Sequence, residues 1–225
     1  MRYCRRWCVL RDKIEAFDTV AGVYDGWYDH PQGKQVFEAE KKAVEQMIPR
    51  TGLGVEIGAG TGVFAESLTN IDRTILCLDP SVEMIKKAKK RKLPCLRGVG
   101  VPLPIRRDLL DFGYMVTVLE FLNDQVALFK EIKYNSKKNA ELTILFINSD
   151  STWGELYRNI GEKGDPIFKH ATLFSLEQVS ALFDKSGYSI LDAKGTLNSD
   201  PANQEVDDRL IEPSSKSGVI IVKAI

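Results

Sequence analysis

The chain has 225 residues with 31 basic and 31 acidic side chains, so its formal charge is zero. Hydrophobic residues make up 44% and charged residues 28%, which excludes disorder as the main state and lets one domain bury a core without staples. A dedicated nucleic-acid binder carries a basic excess; its absence argues against nucleic acid as a partner.

Arg2, Arg5 and Arg6 give a basic start, but Val9-Leu10 is broken at once by Arg11-Asp12-Lys13, so no signal-peptide apolar region follows. No apolar run approaches the length of a membrane span, and a cytoplasmic, membrane-free protein is expected. Cys4 and Cys8 are spaced C-x3-C. Arg11 stands where an iron–sulfur motif needs its third Cys, and no further zinc ligands follow, so no metal is expected. Cys77 and Cys95 fall in strand-like segments and read as reduced thiols.

Lys34 to Ile48 has helical spacing, with Val36, Phe37, Val44, Met47 and Ile48 on one side and Glu and Lys opposite; Pro49 ends it. Short apolar runs at Gly54–Ile57, Thr74–Leu78, Phe112–Val118 and Leu142–Ile147, with a weaker one at Cys95–Arg97, predict five strands. Helical stretches at Thr61–Leu68, Ser81–Lys92 and Gln125–Tyr134 lie between most of them. That alternation predicts a parallel sheet with helices on both faces. Ser175 and Gln178 form a capping box and Gly187 offers a left-handed stop, so Leu176–Ser186 is a helix. Tyr188–Ala193 and Val219–Ile225 read as strands with no crossover helix between them, so they pair antiparallel.

The informative stretch is Val55-Glu56-Ile57-Gly58-Ala59-Gly60-Thr61-Gly62, which follows the first strand and opens a helix. Gly58 and Gly60 let the backbone turn sharply and approach a ligand closely. The unpaired N–H groups of a helix start lie behind them. Asp79 ends the second strand about twenty residues on, the distance at which a carboxylate reaches ribose hydroxyls in nucleoside-binding α/β folds. The dinucleotide pattern G-x-G-x-x-G needs glycine where Val63 stands. A Glu56 carboxylate aimed at the turn would repel a pyrophosphate and attract an ammonium or sulfonium, by ~1 kcal/mol at ~4 Å in water and more in a closed site.

With VEIGAGTG, then LDPS at the second strand and TVLEFL at the end of the fourth, the sequence resembles the class I S-adenosylmethionine-dependent methyltransferases, closest to the small-molecule, quinone- and metabolite-modifying type. The resemblance runs from about Tyr24 to Ser186. It implies that Gly58, Ala59, Gly60 and Gly62 border the methionine part of the cofactor, and that Glu56 orders that loop or reaches the amino group through water. It implies that Asp79 accepts from the ribose hydroxyls, that Pro80 and Met84 cover the adenine, and that Met115, Val116 and Thr117 pass beside the methionine portion. Tyr24, Trp27 and Tyr28 stand where related enzymes close the pocket with aromatic residues. The expected fold is α/β: a Rossmann-like, mostly parallel sheet with helices on both faces and a C-terminal antiparallel hairpin. In this single domain, 1–48 form an N-terminal cap and helix and 49–148 the cofactor-binding half. A substrate lid spans 149–174, and the last helix and hairpin take 175–225.

The sequence departs from the family at Gly98-Val99-Gly100-Val101. Val99 replaces the acidic residue that accepts from the adenine amino group, and Val101 replaces a second acidic residue. The Gly-Gly turn before the fifth strand becomes Asn135-Ser136-Lys137-Lys138-Asn139, expected as an exposed loop. Pro94-Cys95 opens the third strand, whereas cytosine-C5 enzymes carry such a dipeptide after the fourth. Thr117-Val118-Leu119-Glu120 lacks the element of amino-methylating nucleic-acid enzymes. The basic run Lys86 to Lys92 reads as a solvated helix face. His30 and His170, with the aromatics Trp153, Tyr157 and Phe168, are the candidate substrate residues; no catalytic residue is assigned. The expected activity is methyl transfer from S-adenosylmethionine to a small molecule. The alternatives are a non-catalytic S-adenosylmethionine binder, an RNA methyltransferase, and a nicotinamide oxidoreductase that Val63 disfavours. The sequence leaves the oligomeric state open.

Overall fold

The computed structural model describes the backbone from Arg2 and side chains from Leu10 to Ile225; Met1 and the side chains of Cys4 and Cys8 lie outside the described residues. Seven strands form one sheet in the order β3-β2-β1-β4-β5-β7-β6. They are β1 (Gly52–Ile57), β2 (Arg73–Asp79), β3 (Cys95–Arg97), β4 (Leu110–Val116), β5 (Ser136–Ile147), β6 (Ile190–Thr196) and β7 (Val219–Ala224). The pairings from β3 through β5 are parallel, and β7 runs antiparallel to both β5 and β6. The helices are α1 (Arg2–Val20), α2 (Pro31–Met47), α3 (Val63–Leu68), α4 (Val82–Lys90), α5 (Gln125–Asn135), α6 (Thr152–Glu162) and α7 (Leu176–Lys185).

Strand alternation sends successive side chains to opposite faces. Phe112, Tyr114, Ile75 and Ile221 meet Val44 and Met47 of α2 and Phe64, Ala65 and Leu68 of α3 on one face. Val55, Met115, Ile144 and Ile220 meet Phe129 and Ile132 of α5 and Val179 and Phe183 of α7 on the other. The central strands are buried on both sides, as parallel sheets require.

Side chains cap the helices where the sequence supplies them: Ser81, Asp124, Ser151 and Ser175 each accept from a backbone N–H of the first turn. Ser175 and Gln178 complete the predicted capping box. Ser175→Ala is expected to lower stability by about 0.5–2 kcal/mol, read as a reduced urea midpoint at unchanged slope.

Three expectations on element bounds need correction. α1 and α6 form helices that sequence reading left as cap and lid. Leu10, Ile14, Phe17 and Ala21 recur at helical spacing, the signal that marks α1. The stretch Asn135–Asn139 is not simply an exposed loop. Asn135 and Ser136 are buried, and Ser136 pairs with Leu110, so β5 starts there and only Lys137 to Asn139 face solvent. Among the described residues, no helix is long and apolar enough to cross a membrane.

Candidate functional site

The C-terminal ends of β1 and β4 flank the point where strand order reverses, the place where open α/β sheets leave a crevice. A cavity of about 500 Å³ occupies it, inside the range of about 300–1,000 Å³ typical of small-ligand sites.

The loop after β1 shapes one wall. Gly58 and Gly60 are left-handed, with φ of 66° and 54°. A Cβ on Gly58 would lie 2.5 Å from Val118, whereas one on Gly60 would meet nothing within 4 Å, so the bare Gly60 backbone faces open space. Gly62, with φ of 79°, serves packing: a Cβ there would lie 2.6 Å from Leu93 and 3.1 Å from Ala88. Ala59 is buried, and its N–H donates to the Leu78 carbonyl. Neither Ala59 nor Gly62 borders the cavity.

Asp79 does border it, at the end of β2. Its carboxyl accepts from the Gly60 N–H at 2.9 Å and the Ser81 N–H at 2.8 Å, tying the glycine loop to the next strand. Burial pushes it up to about 6, against the lowering effect of those two N–H groups, so it is ionised at neutral pH. A carboxylate offers about four lone-pair sites, so two N–H bonds leave acceptors free.

Glu56 sits elsewhere than expected. Strand alternation turns it away from the cavity and under α3, where it is 2% exposed. Burial pushes its carboxyl up to about 8, against smaller opposing effects of the Tyr114 hydroxyl and the Ala65 N–H. Its Oε2 and the neighbouring Tyr114 hydroxyl are close enough to interact but fall outside full hydrogen-bond geometry. A neutral carboxyl behind the loop offers no attraction to a sulfonium, so of the two roles the resemblance implies, only loop ordering fits this placement. The folded state keeps this proton to higher pH than an unfolded chain, so stability falls as pH rises from about 4.5 to about 8. Glu56→Gln is expected to flatten that fall in melting curves taken across the window; an unchanged profile would contradict the assignment.

The N-terminal segment closes the cavity and is tied down by charge. Asp18 accepts from the Ser81 hydroxyl and from the Glu83 N–H at the start of α4. The Lys87 ammonium donates to Gly22. Asp25 accepts from the Thr61 hydroxyl at 2.6 Å and pairs with Arg91 at 2.9 Å. These ties hold the 3-10 turn Tyr24–Asp29 over the glycine loop and bring Tyr24, Trp27 and Tyr28 to the cavity.

Pro80, Met84, Gly98, Val99, Gly100 and Thr117 also border it. Thr117 is left-handed, with φ of 49°, just after β4, and its N–H donates to Leu145. The lid candidates divide. Tyr157 and Phe168 stack at 4.4 Å between ring centres and border the cavity. Trp153 is 2% exposed, its indole N–H donating to the Ser199 carbonyl, and belongs to the core. His30 is exposed at the start of α2, His170 is half-buried, and neither borders the cavity. Burial, then Lys169 and Lys13, lowers the His170 pKa.

Sequence reading missed Leu10, Ile14 and Phe17 of α1, and Glu40 of α2, all of which border the cavity. Glu40 lies on the buried face with Val36, Ala43, Val44 and Met47, not opposite it. A carboxyl four residues from Val36 and Val44 on an apolar stripe was the available signal.

Comparison with known proteins agrees with this geometry. A family model described as a methyltransferase domain matches residues 55–144. Protein MJ1123 of Methanocaldococcus jannaschii is 32% identical over 184 residues, covering 82% of this chain and 86% of that one. A demethylmenaquinone methyltransferase of Corynebacterium kroppenstedtii is 27% identical over 135 residues, covering 60% of this chain and 59% of that enzyme. A Mycobacterium tuberculosis relative is longer, and this chain spans 65% of its length. Among solved structures, a Thermotoga maritima S-adenosylmethionine-dependent methyltransferase, described as a possible histamine N-methyltransferase, superposes with TM-score 0.82 at 28% identity. That match covers 94% of this chain and 98% of that one. The chain belongs to the class I S-adenosylmethionine-dependent methyltransferases. It is an enzyme whose cofactor is S-adenosylmethionine, and the residues present fit that group. The left-handed Gly58 and open Gly60 form a cradle, and Asp79 keeps free acceptors beside it.

Proposed function

We propose that the enzyme methylates a small molecule enclosed between the glycine loop and the aromatic pair Tyr157–Phe168. The carrying observation is the extent of the cavity. Beyond the Gly58–Asp79 end it continues between α1 and the Phe168 turn, walled by Phe17, Phe121, Tyr157 and Phe168. That end is rich in aromatic side chains and covered by two segments, which suits a small acceptor better than a polymer. Histamine and demethylmenaquinone, in the descriptions of two similar proteins, are both small molecules.

In this reading Asp79 accepts from the ribose hydroxyls, and Leu78, Pro80, Met84 and Val99 cover the adenine. Gly58, Gly60 and Thr117 pass beside the methionine portion. Val99 offers no acceptor to the adenine amino group, so specificity for the base rests on shape and backbone groups. When bound, S-adenosylmethionine supplies a methyl group already activated by its sulfonium. The protein's part is to align acceptor and methyl and to exclude water. Incubation with methyl-labelled S-adenosylmethionine and a pool of small metabolites tests this. The expected result is release of S-adenosylhomocysteine with label in the small-molecule fraction. Label in RNA, or cofactor binding with no turnover across the pool, would contradict it.

A further inference from the structure

Among the described residues bordering the cavity, those with charge-bearing side chains are Lys13, Glu40, Asp79 and Asp165. Three of them are engaged by the protein. Lys13 donates to the Phe121 carbonyl and the Asn123 side chain, Asp79 accepts two backbone N–H groups, and Asp165 accepts from Ile167 and Phe168. Glu40 has no hydrogen bond or ion pair in the protein, although it is only 6% exposed. The second oxygens of Glu56 and Glu120 are sealed inside the protein, whereas Glu40 borders the open space.

A buried carboxyl without a partner costs stability, and such groups persist where a ligand supplies the partner. Its surroundings define that ligand. Tyr24, Tyr28 and Tyr157 are the cavity groups that feel its charge, and Glu120 is the nearby acid. Glu120 accepts from the Ile147 N–H at the end of β5, which places this cluster by the ends of the central strands. Tyrosine rings and a carboxyl lining one cavity are the two kinds of side chain that attract an organic cation.

Resting on the methyl-transfer reading, we propose that Glu40 anchors and deprotonates the acceptor, and that the acceptor is an arylalkyl amine. Burial, then Glu120, pushes the Glu40 carboxyl up to about 8, so in the empty cavity it is mostly protonated at neutral pH, and the charge of an entering ammonium drives that proton out to water. The bound ammonium then passes one of its protons to the Glu40 carboxylate so formed and becomes a neutral amine. The nitrogen lone pair then forms the new N–C bond to the methyl carbon as the S–C bond breaks, and that electron pair stays on sulfur. The sulfonium charge thus passes to the N-methylammonium product, which leaves with its charge, and Glu40 is left protonated, as in the empty cavity. Removing the proton first also avoids placing an ammonium beside a sulfonium.

The test is calorimetric titration of the protein saturated with S-adenosylhomocysteine. The probes are phenethylamine, tyramine and tryptamine, each against its matching alcohol. At least one amine is expected to bind tenfold or more tightly than its alcohol. Glu40→Gln should reduce that preference to twofold or less, and Glu40→Asp should retain part of it. Saturation with S-adenosylhomocysteine is read first: its failure sinks the methyl-transfer reading itself. A tenfold loss of S-adenosylhomocysteine affinity in Glu40→Gln would assign the carboxyl to the cofactor and overturn the proposal. Equal affinity for amines and alcohols in the unaltered protein, or a preference that survives Glu40→Gln, would also overturn it. Melting of each variant separates these outcomes from misfolding; removing an uncompensated buried acid should not lower the melting temperature.

Discussion

Asp79→Ala should weaken S-adenosylmethionine binding by about 1–3 kcal/mol, roughly 5- to 150-fold in dissociation constant. The position of the carboxyl and what it already holds set that loss. Asp79 fixes the Gly60 and Ser81 N–H groups and still has lone pairs toward the cavity it borders. Its loss removes charged acceptors from the ligand and loosens the glycine loop together. Calorimetry checks the affinity, and melting of the free variant separates loop loosening from loss of contact. An unchanged dissociation constant would show that the ribose lies elsewhere.

Phe112→Ala should destabilise the protein by about 3–5 kcal/mol, the scale for emptying a fully buried aromatic site. Phe112 is 0% exposed at the centre of the sheet. A Cβ on Gly54 would lie 2.2 Å from its ring, so the two residues fill one space. Gly54→Ala alone should cost about 1–3 kcal/mol by overpacking. In the double variant the added methyl enters the space the ring leaves, so the two effects should sum to less than their separate costs. Denaturant unfolding of the four proteins measures this; strict additivity would contradict the shared-space account.

The parts of the fold that were legible from sequence share one cause. The central strands are apolar on both faces and bounded by turn residues, so the runs at Gly54–Ile57 and Leu142–Ile147 stand out. The glycine loop and Asp79 were legible because a sharp turn and a ribose acceptor need particular residue types at a particular separation. What sequence reading missed depends on tertiary neighbours. Glu56 was expected to act by charge, but alternation along β1 turns it under α3, and burial leaves it neutral. Trp153, Tyr157 and Phe168 looked alike in sequence. The packing of α6 sends Trp153 to the Ser199 carbonyl and leaves the other two at the cavity. Glu40 was hidden because a Glu in a charged helix reads as solvent-facing until its neighbours on the stripe are counted.

The most direct measurement is titration of the purified chain with S-adenosylmethionine in a calorimeter, alongside Asp79→Ala. One saturable site is expected on the unaltered protein, with a clear weakening in the variant. No heat of binding to a folded, unaltered chain would contradict that expectation.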